Sequence, residues 1–262
     1  MNSYPFNLPR IVAFLTDFGY KDHYVGVVKG RILNEVKKIY PLFVDITHEI
    51  PPQDVKRAAL YLKFSYNYFP SGTIFLTVVD PEVGTERNAI LLVSENYFFV
   101  GPDNGIFSFI LKNKDVTCYE IVKPRVLKAP YSFTFQARDL FAISVAKLLN
   151  EEPLEGWTIP ISKDQLKTIP FPEPEIIPGG YKLSIWLIDH FGNLITNFSK
   201  DIISKPFEVW VNMKKVRLVN TYAEGQDKEI IALFGSEGLL EIAIKNSSAY
   251  EVLGEPEILV KL

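Results

Sequence analysis

Residues 169–180, IPFPEPEIIPGG, carry proline at positions 170, 172, 174 and 178 and end on a glycine pair. Proline fixes φ and withdraws a backbone donor, so neither a helix nor a central strand runs easily through such a stretch. It reads as a stiff, extended linker. The chain has a different periodicity on each side of it. The expectation is an N-terminal domain over 1–168 and a smaller C-terminal domain over 181–262.

On the N-terminal side, apolar runs alternate with helical patterns. Residues 11–15 form a strand-like run that ends at Thr16-Asp17-Phe18-Gly19, and Val25, Val28, Ile32 and Val36 then recur at helical spacing. Gly26 and Gly30 sit four apart on that helix, as glycines do where a neighbour packs closely. Residues 43–46 are a second strand, broken by Pro51-Pro52 before a helix that starts at Asp54. Residues 74–79, 89–93, 97–100 and 116–122 are further strands, the third closing on the turn signal at 101–105. Residues 140–149 are apolar around most of a helix, with Arg138 and Asp139 at its start. This predicts a mostly parallel α/β sandwich domain. Beyond the linker, short strand-like runs at 183–188, 207–211, 215–219, 230–233 and 239–244 predict a β-barrel-like domain. Polar loops interrupt it at 189–193 and 235–238.

One loop stands out, in residues 73–87, TIFLTVVDPEVGTER. A buried strand runs into Asp80-Pro81, turns through Gly84 and reaches Arg87 just before the next strand. In open α/β sheets, ligands bind at the carboxyl ends of strands. The loop reads either as one side of a pocket or as a solvated turn with a surface ion pair.

Several functions are excluded or disfavoured. Lys and Arg total 28 against 31 Asp and Glu, with no basic block, so no nucleic-acid partner is expected. The one cysteine, Cys118, allows no internal disulfide and is expected to be buried. No apolar run reaches membrane-spanning length, and the first ten residues lack a signal-peptide layout, so a cytoplasmic protein is the default. His23, His48 and His190 do not pair at metal-ligand spacing, and no metal site is expected. A hard metal on Asp17, Asp45 and Asp80, as in a phosphohydrolase, stays open as an alternative. There is no P-loop, nucleophile elbow or dinucleotide fingerprint.

The segments TDFGYKDHYVGVVKG (16–30), DITHEIPPQDVKRAA (45–59), FLTVVDPEVGTER (75–87), GPDNGIFS (101–108), FTFQARDLFA (133–142), DHFGNLITN (189–197) and GLLEIAIKNSSAYEVLG (238–254) resemble, in order, the S-adenosyl-L-methionine hydroxide adenosyltransferase family. That family is related to the enzymes that attach fluoride or chloride to the same substrate. The resemblance implies hydrolysis of S-adenosylmethionine at C5′ to adenosine and methionine, without metal or redox cofactor. It also implies a homotrimer with pockets between subunits. By motif, Asp80 and Arg87 handle the water, Asp17 holds the ribose hydroxyls, Asp189 and Asn193 hold the methionine end with Ser236 nearby, and Phe191 lines the pocket.

Two positions depart from the family pattern. Gln136 stands where the family usually carries histidine, and it can hydrogen-bond a water or Arg87 but cannot take a proton at neutral pH. Glu82 stands where glycine is usual, which adds a charge and raises the cost of any left-handed backbone there. A relative that binds S-adenosylmethionine or adenosine with little turnover is therefore the alternative. Halogenation is disfavoured, because Asp80 replaces an aromatic, Ala137 replaces a serine, and an insertion is missing between Val93 and Tyr97.

Overall fold

Short β-branched runs separated by glycine-broken loops produce two sheets, one in each of the two units into which the chain divides, Met1–Ile169 and Pro170–Leu262. The structure is a computed structural model that describes residues 10–262. The first nine residues, and with them the reading of the N-terminus as no signal peptide, lie outside the described residues.

The first unit runs β1 (Ile11–Thr16), α1 (Tyr24–Glu35), β2 (Leu42–Thr47), α2 (Val55–Ser65), β3 (Ile74–Val78), β4 (Ala89–Val93), β5 (Phe98–Pro102), β6 (Thr117–Ile121), α3 (Lys123–Val126), α4 (Ala142–Leu149) and β7 (Thr158–Pro160). The sheet order is β2-β1-β3-β5-β4-β6-β7. β2, β1, β3, β5 and β6 point one way, and β4 and β7 the other. The sheet is buried on both faces, which is why its central strands read as unbroken apolar runs. On β1, Val12 and Phe14 face a core shared with Val28 and Ile32 of α1 and with α4. Ala13 and Leu15 face the other core, with Ala58 and Leu62 of α2. Asp54 caps α2 by accepting from the Arg57 amide at 2.9 Å. Cys118 is buried.

Some details differ from the sequence reading. Gly26 and Gly30 face open space, because α1 turns that side outward. β5 continues through Gly101-Pro102, since both pair with β4 before the turn begins. Gly101 is required there, because a Cβ would lie 2.3 Å from the Thr77 carbonyl oxygen.

The second unit holds β8 (Glu175–Ile177), β9 (Gly180–Leu183), β10 (Ile185–Ile188), β11 (Leu194–Ser199), β12 (Glu208–Val211), β13 (Lys214–Leu218), β14 (Ile230–Phe234), β15 (Leu239–Ile244), α5 (Ala249–Leu253) and β16 (Ile258–Lys261). Their order is β10-β11-β15-β14-β13-β12-β16-β9-β8. The sheet curls, so that Tyr181 of β9 and Phe198 of β11, far apart in strand order, bring their rings to 5.5 Å. The run at 183–188 is broken into β9 and β10. Asn197 is the cause, accepting from the Ser184 amide through Oδ1 and donating its own amide to the Ser184 carbonyl, both at 3.0 Å. The proline-rich stretch is extended, and β8 within it pairs with β9.

Candidate functional site

Asp80 follows the carboxyl end of β3, and Arg87 precedes the amino end of β4. β4 runs opposite to β3, so both residues stand at the same rim of the sheet. The connecting loop turns at Gly84, with φ 85. Glu82 is not among the left-handed residues, so the feared backbone cost does not arise there. Its carboxylate instead receives Lys167 Nζ at 2.9 and 3.0 Å, an exposed pair of small energetic weight.

Arg87 Nε donates to the two Asp80 oxygens at 2.9 and 3.1 Å. Nη2 donates to Asp80 Oδ2 and, at 2.8 Å, to Gln136 Oε1. Nη1 donates to the Asn88 carbonyl at 3.1 Å. The Arg87 and Asp80 side chains are 1% and 5% exposed, so this is a buried pair and not a surface one. The Phe141 ring lies 5.4 Å from the guanidinium carbon and covers it.

Gln136 is set by a π-helical turn, Ala137–Phe141, that leads into α4. Such widened turns project side chains that a regular helix would not. Arg87 has no acceptor, so the Gln136 oxygen must face it and the amide NH₂ is left to donate elsewhere. The adjoining Arg138 pairs with Asp139 through Nε at 2.7 Å and Nη2 at 2.6 Å.

Residues not singled out by sequence support the set. Asn104 Nδ2 donates to the Val79 carbonyl at 2.8 Å, and the Asp103 amide donates to the Asn88 carbonyl at 3.0 Å. The turn signal at 101–105 was visible, but not what it braces. Lys123 Nζ donates to the carbonyls of Arg87 at 2.9 Å and Thr85 at 3.4 Å. Burial, then the neighbouring Arg87 charge, lowers its pKa. Nothing in the sequence marked Lys123.

Asp17 follows β1 directly. It does not cap α1, whose first turn is preceded by His23 with no side-chain cap. Its Oδ2 accepts from the Gln53 amide at 2.8 Å, and Gln53 holds a left-handed φ of 68. Such a conformation is uncommon outside glycine. Burial raises the Asp17 pKa, the Gln53 N–H eases this, and the Asp80 charge adds to it.

In the second unit, Asp189 closes a tight turn. Its Oδ1 accepts from the amides of Phe191 at 2.9 Å and Asn193 at 2.8 Å, and Oδ2 accepts from Asn193 Nδ2 at 2.8 Å. This is Asx-turn chemistry and it also aims Asn193, which is buried. Phe191 is 74% exposed at the turn tip. Ser236 is exposed and donates to Glu237 Oε1 at 3.1 Å. Glu241, a buried carboxylate on β15, lies against Gly235 and accepts from Tyr222 at 2.6 Å. Burial raises its pKa, and the charges of Asp189 and Glu237 add to that rise.

Gly192 makes the 189–193 turn possible, with φ 82 and Ser248 Oγ 2.1 Å from where a Cβ would sit. Gly192→Ala is expected to destabilise the protein by roughly 2–5 kcal/mol, the left-handed and overpacking penalties together. Urea titration followed by circular dichroism checks this.

Asp80, Arg87 and Gln136 thus form one hydrogen-bonded set, with Asp17 in the field of Asp80. Asp189 and Asn193 form another, within the second unit. Among the described residues no three His, Cys, Asp or Glu side chains gather as a metal-binding group.

Residues 12–158 match the SAM hydroxide adenosyltransferase N-terminal domain, and residues 183–256 match the C-terminal domain of the same family. The chain belongs to the SAM hydroxide adenosyltransferase family. A member from Thermus thermophilus, named (R)-S-adenosyl-L-methionine hydrolase, is 35% identical over 95% of this chain and 97% of its own length. A protein of the same name from Methanocaldococcus jannaschii is 32% identical over 93% of this chain and 91% of its own. A fluorinase from an Actinoplanes species is 26% identical over 91% of this chain and 92% of its own. The crystal structure of a conserved protein from Thermotoga maritima superposes with a TM-score of 0.82 at 32% identity, covering 95% of this chain and 99% of that one. No helix among the described residues is long and apolar enough to cross a membrane.

Proposed function

We propose that this family member is a hydrolase of S-adenosyl-L-methionine, releasing adenosine and methionine by attack of water at C5′. The buried Asp80–Arg87–Gln136 set carries the reading, in a chain whose relatives bearing that name match it nearly end to end.

The chemistry suits these groups. The leaving group is a neutral thioether departing from a sulfonium, so no general acid is needed. The difficulty lies in the nucleophile. Arg87 stabilises developing hydroxide, Asp80 accepts or orients the proton, and the Gln136 amide donates to the water oxygen. Hydroxide and sulfonium cancel charge in the transition state, so a site that strips water from both favours the step. No metal or organic cofactor is required. In this reading the ionised carboxylate of Asp17 receives the ribose hydroxyls. Asp189 and Asn193, with Phe191 and Ser236, hold the methionine end in pockets completed by trimerisation, as the family resemblance implies. Light scattering tests the trimer. A cytoplasmic setting accompanies the reading, consistent with the lone, buried Cys118.

The competing reading is binding without efficient turnover. It draws on Gln136, whose oxygen is already engaged by Arg87 and whose amide is no base. Chromatography of substrate incubated with purified protein in chelator separates the two. Adenosine above the buffer rate supports the hydrolase, calorimetric binding without product supports the alternative, and a rate that chelator abolishes points to a metal enzyme. Gln136→His is expected to raise kcat by about tenfold or more, through general-base assistance. An unchanged or lower rate shows that the glutamine belongs to a differently built water site.

A further inference from the structure

The Asp17 turn is held by a residue outside the proposed chemistry. His48, one residue past β2, is fully buried. Its Nδ1 lies 2.7 Å from Thr16 Oγ1, and its backbone carbonyl accepts from the Gly19 amide at 2.7 Å. Its ring meets Phe14 and Tyr20 edge-on at 4.7 and 5.1 Å. One residue therefore grips the segment on both sides of Asp17.

The surroundings of the two ring nitrogens favour one tautomer. Thr16 Oγ1 accepts from the Phe18 amide at 3.2 Å, so the hydroxyl's own hydrogen is available to donate to His48 Nδ1. At the other end of the ring, Nε2 faces Asp45 Oδ1 at 3.3 Å, within ion-pair range though off the line of a hydrogen bond. A lone pair there would face a carboxylate, whereas an N–H is attracted to it. The neutral Nε2–H imidazole satisfies both ends. Protonation would add a hydrogen at Nδ1, reverse the donor in the Thr16 bond and turn the hydroxyl hydrogen away from the ring.

We propose that neutral His48 is a positioning residue that acts through Thr16 to hold the Asp17 turn in its substrate-binding form, so that substrate affinity falls when His48 is protonated. The inference rests on the hydrolase reading above. The charged groups around the ring are Asp45 and Glu49 from its own segment and Lys29 from α1, with the Tyr20 phenol beside it. Lys29 Nζ is bound to Asp45 Oδ2 at 2.6 Å and partly neutralises the carboxylate that would otherwise favour imidazolium. Burial, the largest influence, lowers the His48 pKa below its usual 6.5. A lowered folded-state value means that the native form disfavours the proton. Its contribution is present above about pH 6.5 and is lost as pH falls through the folded value.

The test compares wild type, Thr16→Val and Thr16→Ser by steady-state kinetics between pH 5 and 8, with nitrogen NMR of His48 in the wild type. Thr16→Val is close to isosteric and is expected to raise KM about tenfold with kcat little changed, as expected for a lost buried hydrogen bond. Thr16→Ser should restore KM. Wild-type KM should rise on the acid side, and Thr16→Val should flatten that rise. NMR should show Nδ1 unprotonated near neutral pH. A KM unmoved by Thr16→Val, a loss confined to kcat, or a protonated Nδ1 at pH 7.5 overturns the inference alone. Absence of adenosine release by wild type overturns the hydrolase reading, and the inference with it.

Discussion

Arg87→Met is expected to abolish measurable adenosine release and to lower unfolding stability by about 3–5 kcal/mol, the usual result of breaking a buried ion pair from one side. The side chain is 1% exposed, and its donors satisfy Asp80, Gln136 and the Asn88 carbonyl together. Methionine can take the place over Phe141 but can donate to none of them. Asp80 would then be a buried carboxylate without a partner. Removing a cation placed for transition-state charge costs on the order of 10²–10³ in kcat. The pairing itself can be isolated with a double-mutant cycle of Arg87→Met and Asp80→Asn. The double variant should be more stable than the two single losses predict, because no lone charge is left buried. Additive losses would mean that the two residues do not act as a pair. Thermal denaturation and chromatography read the two effects separately.

Asp17→Asn is expected to raise KM by about 10–100-fold, consistent with the loss of charged hydrogen bonds to a diol. Its effect on stability should have the opposite sign. The Asp17 pKa is raised by burial and by Asp80. A carboxyl whose folded value lies above the unfolded one stabilises the fold at low pH, and that contribution is lost as pH rises through the folded value. At pH 8 the ionised Asp17 is therefore a cost to the fold. Asparagine should remove that cost while its oxygen still accepts from the Gln53 amide. The variant should melt at or above the wild-type temperature at pH 8, with the difference vanishing below about pH 4. A lower melting temperature at pH 8 would show that the charge supports the fold and is not held at its expense. Residues kept against the interest of stability commonly belong to sites.

Much of the framework was legible in the residues. Alternating apolar runs predicted β1, β2, β3 and their helices, and the loop from Asp80 to Arg87 announced itself by its turn residues. Other elements were obscured for physical reasons. β11 is missing from the strand-like runs of the sequence, because its Thr196 and Asn197 are polar yet buried. Thr196 Oγ1 is satisfied by the Leu240 carbonyl at 2.8 Å, a partner distant in sequence. The split between β9 and β10 depends on Asn197 in the same way. His48 enters the sequence reading only as a histidine without metal-ligand spacing. Its grip on both sides of Asp17 was invisible, because Thr16 and Gly19 lie far from it along the chain.

The sequence by itself determined many of the sheet-forming runs and the family, because local periodicity and ordered motifs are properties of neighbouring residues. Only the tertiary structure decided that Asp80 and Arg87 are buried together. The reason is the sheet order. β5 inserts between β3 and β4, the antiparallel β4 returns Arg87 to the rim that β3 leaves, and the turn before α4 brings Gln136 onto the guanidinium. Burial turns an ordinary loop pair into a desolvated one. It depends on what packs above the loop, and the loop residues do not record that.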